Sequence, residues 1–176
     1  MEIRIAKVTD REAVRSVYLS AFGEGEREIV SELAVKLLTE ETTPATVSLV
    51  AEAEEVVVGH VAFSPVTMGI KKNFKGFILA PLAVRPDHQK QRVGSQLVED
   101  GIQRLSGMGV DIVFVYGDLN YYGRFDFTTA AAEPYAPPYK LQYPFRWQAI
   151  ALDKNTTAAT SGQLACVTPL CNPVLW

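Results

Sequence analysis

Two cysteines and two histidines in 176 residues leave little from which to build a metal site. Cys166 and Cys171 stand near the end, His60 and His88 stand well apart, and there is no Cys-x-x-Cys, so no metal is expected. The same scarcity excludes a disulfide scaffold. The two cysteines could pair, but in a chain this long they imply reduced thiols and a cytoplasmic protein. No apolar run approaches the ~20 residues of a membrane span. The opening MEIRIAKVTD alternates charged and apolar residues, unlike the apolar stretch of a secretory signal. Neither membrane association nor export is expected. Basic excess is also missing: a net charge of −3 gives no general attraction for nucleic acid. The chain has no P-loop, no His-Glu-x-x-His, no Gly-x-Ser-x-Gly and no internal repeat.

What is present is an ordinary globular composition, 48% apolar and 21% charged. The length suits a single domain over 1–176, with a core over about residues 1–152 and a terminal strand and tail over 153–176. Glu2 to Val8 alternates as a half-buried strand. Thr9-x-x-Glu12 reads as a capping box ahead of a helix that runs to about Ala21. Gly23-Glu24-Gly25-Glu26 breaks it, and a second amphipathic helix carries Ile29, Val30, Leu33, Leu37 and Leu38. Thr46 to Glu52 and Val56 to Met68 form an antiparallel hairpin pattern around an acidic turn. Gly69 to Gly76, with three lysines, reads as a solvated loop. A basic rim near a phosphate is its alternative.

The most informative stretch is Phe77 to Ser95, FILAPLAVRPDHQKQRVGS. Phe77 to Val84 has no charged side chain and reads as a buried strand, with Pro81 marking a bulge or an unpaired position. Arg85-Pro86 ends the strand. A polar loop follows, then a helix with Val93, Leu97, Val98, Ile102 and Leu105 on one face. Strand, short loop and helix bring unpaired N–H groups and the positive end of the helix macrodipole to one place. Gly94 next to Ser95 permits close approach to the main chain, and Lys90 and Arg92 flank it. This is a phosphate or pyrophosphate site. The competing reading is an ordinary strand-to-helix turn with a solvated basic face. Val110 to Tyr116 is an interior strand, and the tight strand–helix–strand unit makes it parallel to Phe77 to Val84.

Gln89-x-x-Arg92-x-Gly94 resembles the (Gln/Arg)-x-x-Gly-x-(Gly/Ala) signature of the GNAT superfamily of acetyl-CoA-dependent N-acetyltransferases. Arg92 stands where the first glycine is common. A positive φ there would cost about 1–2 kcal/mol, so the expectation is an ordinary backbone in which only the amide of Arg92 is used. Asp118 to Phe127 is similar to the family segment in which a short helix carries a tyrosine five residues before the Phe of a Gly-Phe pair. Tyr122 and Phe127 have that spacing, with Asp126 in place of the glycine. Gly-Asp-x-x-Tyr-Tyr-x-Arg-Phe resembles a subgroup of bacterial N-acetyltransferases.

The resemblance implies a mixed α/β (α+β) fold. Its central sheet would be mostly antiparallel, of about six or seven strands, flanked by helices and containing a splayed parallel strand pair. It implies acetyl-CoA as co-substrate and a primary amine on a small molecule or peptide as acceptor. The acetyl group would pass by direct attack in a ternary complex. The amides of Lys90, Gln91, Arg92, Val93, Gly94 and Ser95 would hold the pyrophosphate, with Gln89 among the cofactor-binding residues of the same loop. Leu82, Ala83 and Val84 would pair with the pantetheine arm, and a backbone N–H near Leu82 or Ala83 would face the thioester oxygen. Asn120 joins the cofactor contacts and Tyr122 is the implied general acid. Glu24 and Glu26 border the acceptor site, where solvated turn carboxylates are their alternative reading. Family members are often dimers. The alternative function is a non-catalytic acyl-CoA-binding sensor with the same fold.

Overall fold

The computed structural model describes residues 1–69, 71, 73–153 and 161–176. Among the described residues eight strands, β1 (Glu2–Ile5), β2 (Val47–Ala53), β3 (Val56–Val66), β4 (Gly76–Val84), β5 (Ile112–Tyr116), β6 (Tyr135–Ala136), β7 (Trp147–Ala151) and β8 (Gly162–Gln163), are joined by five α-helices. These are α1 (Arg11–Ala21), α2 (Arg27–Thr39), α3 (Val93–Gly107), α4 (Leu119–Tyr122) and α5 (Thr129–Ala132). Six strands share one sheet in the order β1-β2-β3-β4-β5-β7, and β6 pairs with β8 in a small parallel sheet. The large sheet is mixed and mostly antiparallel, as expected, and no helix among the described residues is long and apolar enough to cross a membrane. The chain divides into two compact units, residues 1–63 with 80–101 and residues 64–79 with 102–176.

In the first unit β1, β2 and the first part of β3 form an antiparallel ladder. Ala51 lies opposite Gly59 while Glu52 lies opposite Val57, so Val58 is an extra residue, a bulge. Below and above it the strand presents different residues to each face. Val50 of β2 and Val57 face α1 and α2, where Val14, Val17, Tyr18 and Ala34 close a core that also takes Ala83 of β4. Gly59 and Phe63 face α3. A Cβ on Gly59 would stand 3.0 Å from Leu97 Cδ1 and 3.1 Å from Val93 Cγ1, and a Cβ on Gly101 would run into the Phe63 ring. Both glycines let the helix lie close on the sheet. The Thr9-x-x-Glu12 capping box does not form. Asp10 sits at the helix start instead, accepting the Lys7 N–H at 2.7 Å and binding the Arg4 guanidinium at 2.8 Å, an arrangement that needs the side chain of a residue in β1. Arg4 also bridges to Glu52 at 2.7 Å.

In the second unit β4 and β5 are parallel, with Gly76, Phe77 and Ile78 opposite Ile112, Val113 and Phe114. β7 runs antiparallel to β5. Phe114 stacks on Trp147 at 5.3 Å and meets Tyr135 edge-on at 5.2 Å. The Trp147 indole N–H donates to the Tyr135 carbonyl at 2.9 Å. Trp176 packs on Trp147 and Tyr139. The expected last strand shortens to β8, followed by a bridge between Ala165 and Thr67. Of the terminal strand and tail expected over 153–176, residues 154–160 fall outside the described residues.

Candidate functional site

β4 changes character along its length. Gly76 to Leu79 are buried, whereas Ala80, Pro81, Leu82 and Val84 are half-buried and only Ala83 returns to the core. The strand continues through Pro81, with the Ala80–Pro81 peptide bond cis. Parallel pairing with β5 covers Gly76 to Ile78 and so ends before Pro81, which has no N–H to give to a ladder, and the Val58 carbonyl accepts the Arg85 N–H at 2.8 Å and fixes where the loop leaves the sheet.

The loop uses its side chains to consume its own carbonyls. Gln89 Nε2 donates to the Val84 carbonyl and Gln91 Nε2 to the Asp87 carbonyl, each at 3.0 Å. His88 Nδ1 lies 3.0 Å from Asp87 Oδ1 and Arg85 Nε lies 3.3 Å from it. His88 and then Arg85 hold the Asp87 carboxyl down at about 2. The backbone N–H groups remain. Among the described residues, those of 90–95 donate to no acceptor in the protein, and the first N–H taken up by the helix is that of Gln96, bonded to the Arg92 carbonyl at 2.9 Å. Lys90 has φ 61° and Arg92 has φ 65°. The expectation of an ordinary backbone at Arg92 is thus corrected: this position is left-handed although it holds arginine. Left-handed residues alternating with others turn successive N–H groups toward one side, making a nest for an anion at the N-terminus of α3. Lys90 and Arg92 are exposed beside it; Arg92 reaches Glu99 only at 3.5 Å. Residues 89–95 follow the end of β4, which carries Leu82, Ala83 and Val84, after the short turn over 85–88.

Asp118 starts α4 by accepting the Tyr121 N–H at 2.7 Å. Tyr122, the last residue of α4, is fixed by three contacts. Its ring meets Tyr121 edge-on at 5.0 Å and Phe127 at 5.8 Å, and it lies against the main chain of Gly117, where a Cβ would collide with it. Among the described residues its hydroxyl has no hydrogen-bond partner. Burial, with a smaller effect of Tyr121, raises its phenol above the usual value, so it stays protonated. Asp126 has φ 65°, so it adopts the backbone glycine usually supplies. Asn120 is exposed on the same short helix. Glu24 and Glu26 are exposed in the turn between α1 and α2, with no ion-pair partner among the described residues.

Sequence reasoning missed a buried polar network. His60 is fully buried, its Nδ1 2.8 Å from the Tyr18 hydroxyl and its Nε2 2.7 Å from Ser48 Oγ. A neutral ring satisfies both if Nδ1–H donates to Tyr18, Ser48 donates to Nε2, and Tyr18 donates to the His60 carbonyl at 3.3 Å. Burial drives its pKa from 6.5 to about 3, which keeps the ring neutral. The signal for it was a lone histidine in an apolar strand, which pattern alone cannot pair. The two thiols are free, with sulfurs 3.8 Å apart, and burial pushes Cys166 up to about 12.

The Acetyltransferase (GNAT) family model matches residues 11–127. The chain is 33% identical over 175 residues to the uncharacterized N-acetyltransferase YjhQ of Escherichia coli K12, covering 94% of this chain and 91% of that protein. It superposes with TM-score 0.82 on the crystal structure of the E. coli GNAT N-acetyltransferase YhbS in complex with CoA, at 26% identity over 96% of this chain and 90% of that one. A GNAT acetyltransferase from Brucella melitensis in complex with acetyl-CoA gives TM-score 0.68 at 30% identity, covering 96% of each chain.

Proposed function

The chain belongs to the GNAT acetyltransferase family, and from that we propose that it transfers the acetyl group of acetyl-CoA to a primary amine by direct attack in a ternary complex. The whole chain acts as one N-acetyltransferase domain, and the acceptor is a small molecule or a peptide amine. The observation that carries this reading is the run of N–H groups over 90–95 that no protein acceptor uses, at a helix N-terminus flanked by two cations. Two similar proteins crystallised with CoA and acetyl-CoA support the same ligand.

In this reading the amides of 90–95 bind the pyrophosphate, Gln89 joins the cofactor contacts of the same loop, and Leu82, Ala83 and Val84 hold the pantetheine arm in strand-like pairing. A backbone N–H near Leu82 or Ala83 faces the thioester oxygen and stabilises the charge that develops as nitrogen attacks. Asn120 adds a cofactor contact. Glu24 or Glu26 binds the ammonium of the acceptor and takes a proton from it, directly or through water, so that a neutral nitrogen attacks. Tyr122 hydrogen-bonds the departing sulfur. Full proton transfer from a phenol near 10 to a thiolate near 8.5 is uphill by about 2 kcal/mol, and burial of Tyr122 widens that gap. A hydrogen bond that strengthens as the thiolate forms is the role its pKa favours.

A thiol-release assay with acetyl-CoA and a panel of primary amines tests the proposal. Turnover is expected with at least one amine class, and Tyr122→Phe is expected to lower kcat about 10²-fold. Tight CoA binding without turnover across the panel would favour the sensor reading, and a kcat within about twofold of wild type would remove Tyr122 from the role.

A further inference from the structure

The second unit contains a cavity of about 620 Å³ well away in sequence from the loop over 89–95. It lies in the size range of small-molecule sites. Tyr135, Leu141 and Trp147, all buried, form its apolar floor. That floor is rigid. Trp147 is stacked on Phe114 with the rings 6° from parallel, and its indole N–H is already bonded to the Tyr135 carbonyl. The rim carries one carboxylate, Glu133, and one ammonium, Lys140. Both are exposed, neither has an ion-pair partner among the described residues, and they do not pair with each other.

An apolar, aromatic-floored cavity with one free charge of each sign at its mouth complements a molecule with both charges at one end and an apolar body at the other. A simple amine or acid satisfies only one of the two rim charges, and an internal peptide residue has neither. We propose that this cavity binds a free aromatic α-amino acid, with its carboxylate on Lys140, its ammonium on Glu133 and its ring on the floor of Tyr135, Leu141 and Trp147. Aromatic rings gain most from such a floor, through offset or edge contacts beyond their buried area. The inference stands on binding alone and needs no acetyl transfer.

Nuclear magnetic resonance titration of the full chain tests it, because the two tryptophans give two indole N–H signals and one of them, Trp147, belongs to the floor. L-phenylalanine is expected to shift the Trp147 signal saturably with a millimolar or tighter Kd. Phenethylamine and 3-phenylpropionate, each lacking one charge, are expected to bind about tenfold more weakly, as loss of a charge-assisted contact implies. L-leucine is also expected to bind more weakly than L-phenylalanine. Lys140→Met is expected to reduce phenylalanine to the level of phenethylamine, and Glu133→Gln to that of phenylpropionate. Three results would each overturn the proposal. The first is an unmoved Trp147 signal at about 10 mM phenylalanine. The second is equal binding of the four ligands. The third is phenylalanine affinity unchanged in both variants. All three readings are made without acetyl-CoA, so they stand apart from the test of the transferase reading.

Discussion

Arg92 adopts φ 65° where a glycine would do so freely. A side chain in that region costs about 1–2 kcal/mol, and the return is an amide turned toward the anion nest while a guanidinium is added beside it. Asp126 makes the same exchange behind Tyr122. Neither conformation can be read from the residue type, because arginine and aspartate do not announce a left-handed backbone. Tyr122 itself was legible from its spacing to Phe127, but the support that aims it was not. That support is Gly117, against whose backbone the ring lies. If Tyr122 has the role proposed above, Gly117→Ala is expected to displace its ring and lower kcat by about tenfold or more while acetyl-CoA affinity holds, since small misplacements of a reacting group are costly. Steady-state kinetics paired with cofactor titration separates the two. A second expectation concerns His60. Its folded pKa of about 3 lies below the unfolded value of 6.5, so between those values the unfolded state binds more protons. Stability is therefore expected to fall as pH drops from about 6.5 toward 3, by up to about 1.4 kcal/mol per pH unit from this group. Urea unfolding across that range, with His60→Gln as comparison, measures the contribution.

At the scale of elements, α1, α2, the β2–β3 hairpin, the parallel β4–β5 pair and the turn to α3 were legible because each has a strong hydrophobic period or a clear breaker. The boundaries moved where tertiary partners decide them. Asp10 replaces the capping box because Arg4 of β1 reaches it, and β1 ends at Ile5 rather than Val8. The bulge of the β2–β3 pair at Val58 carries no sequence signal, since a bulge is a property of a strand pair and not of one strand. The placement of α3 depends on Gly59, whose missing side chain leaves room for Val93 and Leu97 and whose added Cβ would also stand 3.4 Å from the Ala83 carbonyl. Gly59→Val is expected to lift the start of α3 from the sheet. The expected cost is about 1–3 kcal/mol of stability, together with weaker acetyl-CoA binding, read by thermal unfolding and by titration. Unchanged values on both counts would mean that the helix repacks without moving its N-terminus.

At the scale of the molecule, the family match spans 11–127 and so takes in both the nest at α3 and the segment around Tyr122. Fold and cofactor class were legible from two short motifs, since both are backbone-recognition devices with fixed spacing. The acceptor was not, because acceptor recognition rests on side chains that come together only in the folded chain and carry no fixed spacing. The central claim is that the amides over 90–95 bind the pyrophosphate of acetyl-CoA. Isothermal titration of the protein with acetyl-CoA, with desulfo-CoA and ADP alongside, tests it most directly. Expected are a micromolar Kd for acetyl-CoA and a similar one for desulfo-CoA, weaker binding of ADP, and a loss of about tenfold or more in a Gly94→Trp variant that unfolds at the wild-type temperature. No heat of binding up to millimolar acetyl-CoA, or an affinity that Gly94→Trp leaves unchanged, would contradict it.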